Sequence, residues 1–275
     1  MKSVLISKFI YHKFNNNFKK KILYLGEFLM SLDTTRILTI VIQTIMAIVF
    51  IYLGYLIVKR DKKRLNIIFS SFYFFAFIAT VFNWTYAFLN PHLNDIVLYV
   101  VLYLNYVTNF FYFTSLGFLL AFSLIIYKSE KIFNAAKQVL YLVVYIGGLG
   151  VLMFLFINIP GMGVEFHKAN SSSPYWTLPF FLLVFLALTV GSIGPTIYIL
   201  YKTFKQFDDP ELKKKYRYFS IGFVEISAFA YLIAIANFLK DVSSLFPTIA
   251  LLLGSIFVIT GAYLLYIGVG KQISK

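Results

Sequence analysis

The sequence predicts an all-α integral membrane protein: a seven-transmembrane helix bundle with its N-terminus outside and its C-terminus in the cytosol. Three observations predict it. Seven apolar runs, 37–58, 67–89, 96–126, 138–159, 177–200, 219–239 and 247–269, each match or exceed the roughly 20 residues a helix needs to cross the hydrocarbon core. Hydrophobic residues make up 60% of the chain and charged residues 13%, about half the charged share of a soluble domain. The cations also gather in every second loop.

Residues 1–36 form an N-terminal arm. The stretch Ile22–Met30 is apolar but too short to cross, so it reads as an amphipathic segment lying in the membrane interface. The start lacks a signal-peptide cleavage pattern, and the first span is expected to insert uncleaved. The loop after span one carries Lys59, Arg60, Lys62, Lys63 and Arg64. The loop after span three carries Lys128, Lys131 and Lys137, and the basic segment 201–218 precedes span six. That segment holds Lys202, Lys205, Lys213, Lys214, Lys215 and Arg217. The opposite loops are nearly bare, with Lys168 in 160–176 and Lys240 in 240–246. Positive charge marks the cytosolic side. The basic arm is the discordant segment, most of it lying too far from span one for that rule to act. Residues 247–269 make the last span, and 270–275 a short cytosolic tail.

The net charge of +14 therefore sits where it sets topology and meets anionic headgroups. Nucleic acid is not an expected partner. The chain has no cysteine, which removes thiolate metal sites, cysteine nucleophiles and disulfides. His12, His92 and His167 all lie outside the spans, so an intramembrane serine protease or paired-histidine metalloprotease has no residues to use. The last span has no lysine for a retinal Schiff base. Glu165 and His167 in the 160–176 loop are too few to make a metal site. The Asn170–Ser171–Ser172 sequon is a weak signal. No cofactor or metal is expected, and no enzymatic activity.

Polar residues inside the spans carry the remaining information. Asn105, Thr108, Asn109 and Tyr112 fall at spacings that share one helical face, continued by Ser115. They are candidates for the wall of a ligand pocket; the plainer reading is interhelical hydrogen bonding. Asn83 and Trp84 are similar candidates near the outer end of span two. Glu225 is the carboxylate well inside a span, a candidate titratable or coupling group. Its plainer role is to face a wet inner vestibule or to pair with a loop lysine. Gly194 and Pro195 in span five are a candidate hinge, because proline kinks a helix. Lys213, Lys214, Lys215 and Arg217 are candidate partner-facing residues.

The order of features in the second half adds a resemblance. Trp176 and Pro179 open span five. The run Asp208–Asp209–Pro210–Glu211–Leu212–Lys213–Lys214–Lys215–Tyr216–Arg217–Tyr218 leads into span six, and Phe246–Pro247 opens span seven. Over about residues 175–269 this resembles the seven-helix sensor region at the N-terminus of some prokaryotic histidine kinases. The glutamine that family carries in the basic run has no obvious counterpart here. No kinase fits in the residues after Gly270. The resemblance implies a membrane sensor module whose output passes through a separate protein.

The expected function is thus a non-enzymatic, multi-pass cell-membrane sensor or receptor-like module. It would relay a ligand or membrane signal to a separate cytosolic signalling protein. Its other partners are the bilayer and the anionic headgroups at its cytosolic loops. A small-solute or ion transporter or channel using Glu225 is the alternative, and a structural membrane scaffold the third reading.

Overall fold

The computed structural model describes residues 34–89, 95–157, 159–166, 174–240 and 245–270. The chain divides into two compact units, residues 1–41 and 42–275. Of the first, residues 34–41 are described: they are the opening turns of a helix. The proposed interfacial segment 22–30, His167, the sequon and the tail from residue 271 lie outside the described residues.

Helix α1 (Thr34–Arg60) is followed by α2 (Arg64–Ala87), α3 (Asp95–Ile132) and α4 (Ala135–Phe154). A two-stranded antiparallel hairpin comes next, β1 (Val164–Glu165) and β2 (Tyr175–Trp176), pairing Val164 with Trp176 and Glu165 with Tyr175. Helix α5 (Leu178–Leu188), a π-helical turn (Thr189–Ile193) and α6 (Gly194–Gln206) run on as one span. Helices α7 (Pro210–Leu239) and α8 (Leu245–Leu265) complete the bundle, and a second π-helical turn (Tyr266–Gly270) extends α8. Seven helices among the described residues are long and apolar enough to cross a membrane. This is a multi-pass helical membrane protein.

The central pillar is α3: 72% of its most apolar stretch is buried, against 17% for α4. It is broken at Ser129, which takes φ 65 and ψ 158, a strained region for a residue with a Cβ. Asn134 then caps α4, its side chain accepting the Lys137 N–H at 3.1 Å.

The basic segment before the sixth span is not a loop. Its connection is residues 207–209, and Lys213 to Arg217 already belong to α7. The cause is local. Asp209 Oδ1 accepts the N–H groups of Glu211 and Leu212 at 2.8 and 3.4 Å. Pro210 sits at the start, where its missing N–H costs nothing, and Glu211 complements the helix dipole. With 30 residues α7 is about 45 Å long, so its first turns stand clear of a ~30 Å hydrocarbon core. Conversely, α4 ends at Phe154 rather than 159, ahead of Pro160 and Gly161.

Aromatic side chains fill the interior. Phe69 stacks on Phe122 at 4.6 Å, and Phe219 closes on Phe122 at 5.4 Å. Two glycines bring α7 and α8 together. A Cβ on Gly222 would stand 2.6 Å from the Gly261 carbonyl oxygen, and one on Gly261 would stand 2.9 Å from that of Gly222. No side chain fits between those backbones.

The two ends of the bundle differ in charge. Alternation of the spans puts the 61–63, 133–134 and 207–209 connections at one end, with Lys59 to Arg64, Lys128, Lys131, Lys202, Lys205 and Lys213 to Arg217 near them. Beyond residue 41, the described charged residues near the other end are Asp95, Glu165 and Lys240.

Candidate functional site

The predicted stripe on α3 points inward, and all its members but Thr108 bond to protein. Asn105 is 1% exposed. Its Oδ1 accepts from Trp176 Nε1 at 3.2 Å and from Asn109 Nδ2 at 3.2 Å. Asn109 Nδ2 also donates to the Asn105 carbonyl at 2.8 Å, and the Tyr86 hydroxyl pairs with the Asn105 side chain. The Tyr112 and Thr80 hydroxyls share a hydrogen bond of 3.0 Å. Thr108 is buried too, and its hydroxyl has no partner among the described residues.

Trp176 is the residue that organises this end, and the stripe spacing alone did not reveal it. It is 1% exposed, edge-on to Phe180 at 5.1 Å and to Phe113 at 6.2 Å. The hairpin delivers it into the bundle. Tyr106 accepts the Val164 N–H at 2.7 Å, and Thr177 donates its N–H and hydroxyl to the Gly163 carbonyl at 3.0 and 2.9 Å. Glu165 is engaged within the hairpin: its two oxygens accept from the Gly161 N–H at 2.6 Å and the Tyr175 hydroxyl at 2.8 Å. No group of three or more metal-ligating side chains exists among the described residues.

A cleft lies beside the stripe rather than at it. It encloses about 20 Å³ between α1, α2, α3, α7 and α8 and is otherwise open. Phe50, Phe72, Ala76, Phe113, Leu116 and Phe229 make much of its wall. Of the residues predicted to line a ligand pocket, Tyr112 reaches it, and so does Ser115 of the same stripe. Asn83 and Trp84 do not; Trp84 is exposed and packs edge-on against Phe88 at 4.7 Å. The Tyr112 hydroxyl is taken by Thr80, and the Ser115 hydroxyl by the Tyr112 carbonyl. The interior is therefore apolar.

Two bonds reach the cleft wall from neighbouring elements, one of them from the turn before the predicted hinge. Tyr145 of α4 donates to the Phe113 carbonyl at 2.9 Å, and Ser192 of the first π-helical turn donates to the Leu116 carbonyl at 3.0 Å. Both carbonyls belong to residues of the cleft. The turn itself is built upstream of Pro195: the Gly194 N–H reaches the Thr189 carbonyl five residues back. A Cβ on Gly194 would lie 2.6 Å from that oxygen. The irregularity is thus an inserted residue in the helix ladder with proline directly after it.

Among the described residues, Glu225 bonds to a threonine hydroxyl and to no lysine. It sits on the α7–α8 seam, where Thr260 donates its hydroxyl to Oε2 at 2.8 Å. The Gly222–Gly261 approach sets this position, because it holds the two backbones close at the neighbouring turn.

At the charged ends, Asp61 pairs with Lys63 at 2.9 Å. The Lys63 side-chain hydrogen bond holds the Asp61 carboxyl below its usual range. Lys213, Lys214 and Arg217 are on the outside of α7, and Lys215 is half-buried. Lys213 lies over the Phe204 ring at 5.2 Å. At the far end of α7, burial pushes the Lys240 amine down to about 8.

Fold and site together define a multi-pass helical membrane protein with an apolar interior cleft. Comparison with family models, with curated proteins and with solved structures found no match to the chain.

Proposed function

We propose that the chain is a non-enzymatic membrane sensor module, oriented with its N-terminus outside and its C-terminus in the cytosol, whose signal is an apolar molecule taken from the bilayer. The cleft carries this reading. Its polar neighbours are already satisfied, so water and ions gain nothing there, whereas an apolar cavity is the kind that stays dry and accepts hydrocarbon. The enclosed space is small, so what enters it is the apolar end of a ligand, such as the terminal methyl of an acyl chain.

The route to the other end is α7. Ile226, Phe229, Ala230 and Ile233 of this helix line the cleft, and the same continuous helix carries Lys213, Lys214, Lys215 and Arg217 at its start. A wedge in the cleft tilts α7 and displaces those cations, which then meet anionic headgroups or an acidic cytosolic signalling protein. The wall carbonyls of Phe113 and Leu116 pass the same displacement to the turn before Gly194 and Pro195. The resemblance to kinase-linked sensor regions fits a module that hands its output to a separate protein. Transport is less well supported, because a transported polar solute needs a polar path and the cleft wall is apolar.

The test is photolabelling of the reconstituted protein with a fatty acid bearing a terminal diazirine. Label is expected on the α3 and α7 residues of the cleft, and is expected to vanish in Ala230→Phe, which fills it. Label spread evenly over the lipid-facing residues and unchanged by Ala230→Phe refutes the reading. Orientation has its own check. The chain has no cysteine, so Met162→Cys should react with an impermeant maleimide from outside and Asp208→Cys should not.

A further inference from the structure

Glu225 is the one charged side chain that lies within the described spans away from their ends. It comes eight residues after Arg217 in α7, about 12 Å along the helix axis. Its surroundings face outward. Val224 is 54% exposed, Ile256 58% and Tyr263 56%; Ile221 and Thr260 are exposed as well. The seam therefore presents a carboxyl group on an otherwise apolar surface that looks into the bilayer.

The group is poorly solvated by its own chain. Among the described residues, the Thr260 hydroxyl is its one hydrogen-bonding partner. That hydroxyl has a single hydrogen, and its oxygen is also 2.7 Å from the Ile256 carbonyl. A carboxylate accepts through two oxygens and about four lone-pair directions, so most of its capacity is open toward lipid. Hydrocarbon offers no donor, and intramembrane charges are paired with one another or with a facing helix. The glycine contact holds α7 and α8 close together beside the carboxyl-bearing residue.

We infer that the outer face of α7 and α8 around Glu225 docks a transmembrane helix of a second, different protein, one that carries a lysine or arginine at the same depth. Charge complementarity selects this occupant. The described spans of a second copy offer no cation at this depth. Lysines and arginines in its described spans cluster near the helix ends, and α8 has none. A two-fold pair would set the carboxyl against another Glu225 or against Thr260. On the elements packed against α7, Lys202 and Lys205 of α6 lie over the Tyr198 and Tyr201 rings of their own helix at 4.7 and 4.3 Å. The last helix brings uncharged Tyr263 and Tyr266, and β2 brings Tyr175. Among the described residues none brings a cation to this depth, so the proposed cation belongs to the docked helix.

The experiment uses the full chain, labelled with an acceptor dye at Asp208→Cys and reconstituted in phosphatidylcholine vesicles. It is titrated with donor-labelled polyleucine peptides of about 24 residues, enough to span. One peptide carries a lysine about 12 Å from its end; the other has leucine there. Energy transfer should report about tenfold tighter association of the lysine peptide. That preference should disappear in Glu225→Gln, which keeps the side-chain shape, and survive in Lys213→Gln. Equal binding of the two peptides, or a preference that Glu225→Gln leaves intact, overturns the inference. Energy transfer between two labelled copies of the chain that Glu225→Gln abolishes also overturns it and gives the face to self-association.

Discussion

The stripe on α3 and the seam between α7 and α8 place polar side chains in the same apolar medium and resolve them in opposite ways. On α3, Asn105, Asn109 and Tyr112 point inward and meet Trp176, Tyr86 and Thr80. On the seam, Glu225 points outward and meets one hydroxyl. The first arrangement fastens the hairpin end of the bundle to itself. The second leaves bonding capacity directed at the membrane. What separates a structural polar site from a binding site is thus the number of partners the fold supplies, more than the residue type.

Breaking the inner side should cost most. Trp176→Ala removes a fully buried indole and the donor to Asn105, and should destabilise the protein by about 3–5 kcal/mol, read by unfolding in mixed detergent micelles. Gly261→Leu forces α7 and α8 apart. It should cost about 1–3 kcal/mol in the same assay and separate Thr260 from Glu225.

Lys240 sharpens the comparison at the far end of α7. Its amine titrates at about 8 in the folded protein and near 10.4 when unfolded. Between those values the unfolded chain binds more protons, so stability should rise with pH across that window, by about 1 kcal/mol after allowance for partial exposure. The rise should be absent in Lys240→Met, and NMR of methylated lysines should show the shifted titration directly. Tyr112→Phe removes one interhelical hydrogen bond and should cost about 0.6 kcal/mol. Glu225→Leu should stay within about 0.5 kcal/mol of the parent, because the carboxyl supports little of the isolated fold. A large loss there would mean that the seam is structural, like the stripe.

How much of this was legible beforehand varies with the range of the cause. The inward face of α3 follows from spacings along one helix, so Asn105, Thr108, Asn109 and Tyr112 could be grouped from the chain alone. Their partners could not. Thr80, Tyr86 and Trp176 arrive from other elements, and nothing in the local pattern of α2 or of the hairpin announces them. The Asp209–Pro210–Glu211 start of α7 is a local capping signal, yet the cations after it read as a loop by charge alone. The helix runs unbroken through them. The cleft was not legible at all, since its wall is ordinary apolar sequence on five helices.

The sequence by itself determined that the protein lies in a membrane, how many times it crosses, and which connections carry the positive charge. Those properties depend on run length and on composition, and both are local. The tertiary structure decided which polar groups are satisfied and which are not. It bonded Asn105 and Tyr112 of the α3 stripe to side chains from two other elements, opened an apolar cleft next to it, and set Glu225 half-buried on the α7–α8 seam against Thr260. These outcomes depend on how closely helices approach, and that distance is set by pairs of residues far apart in the chain.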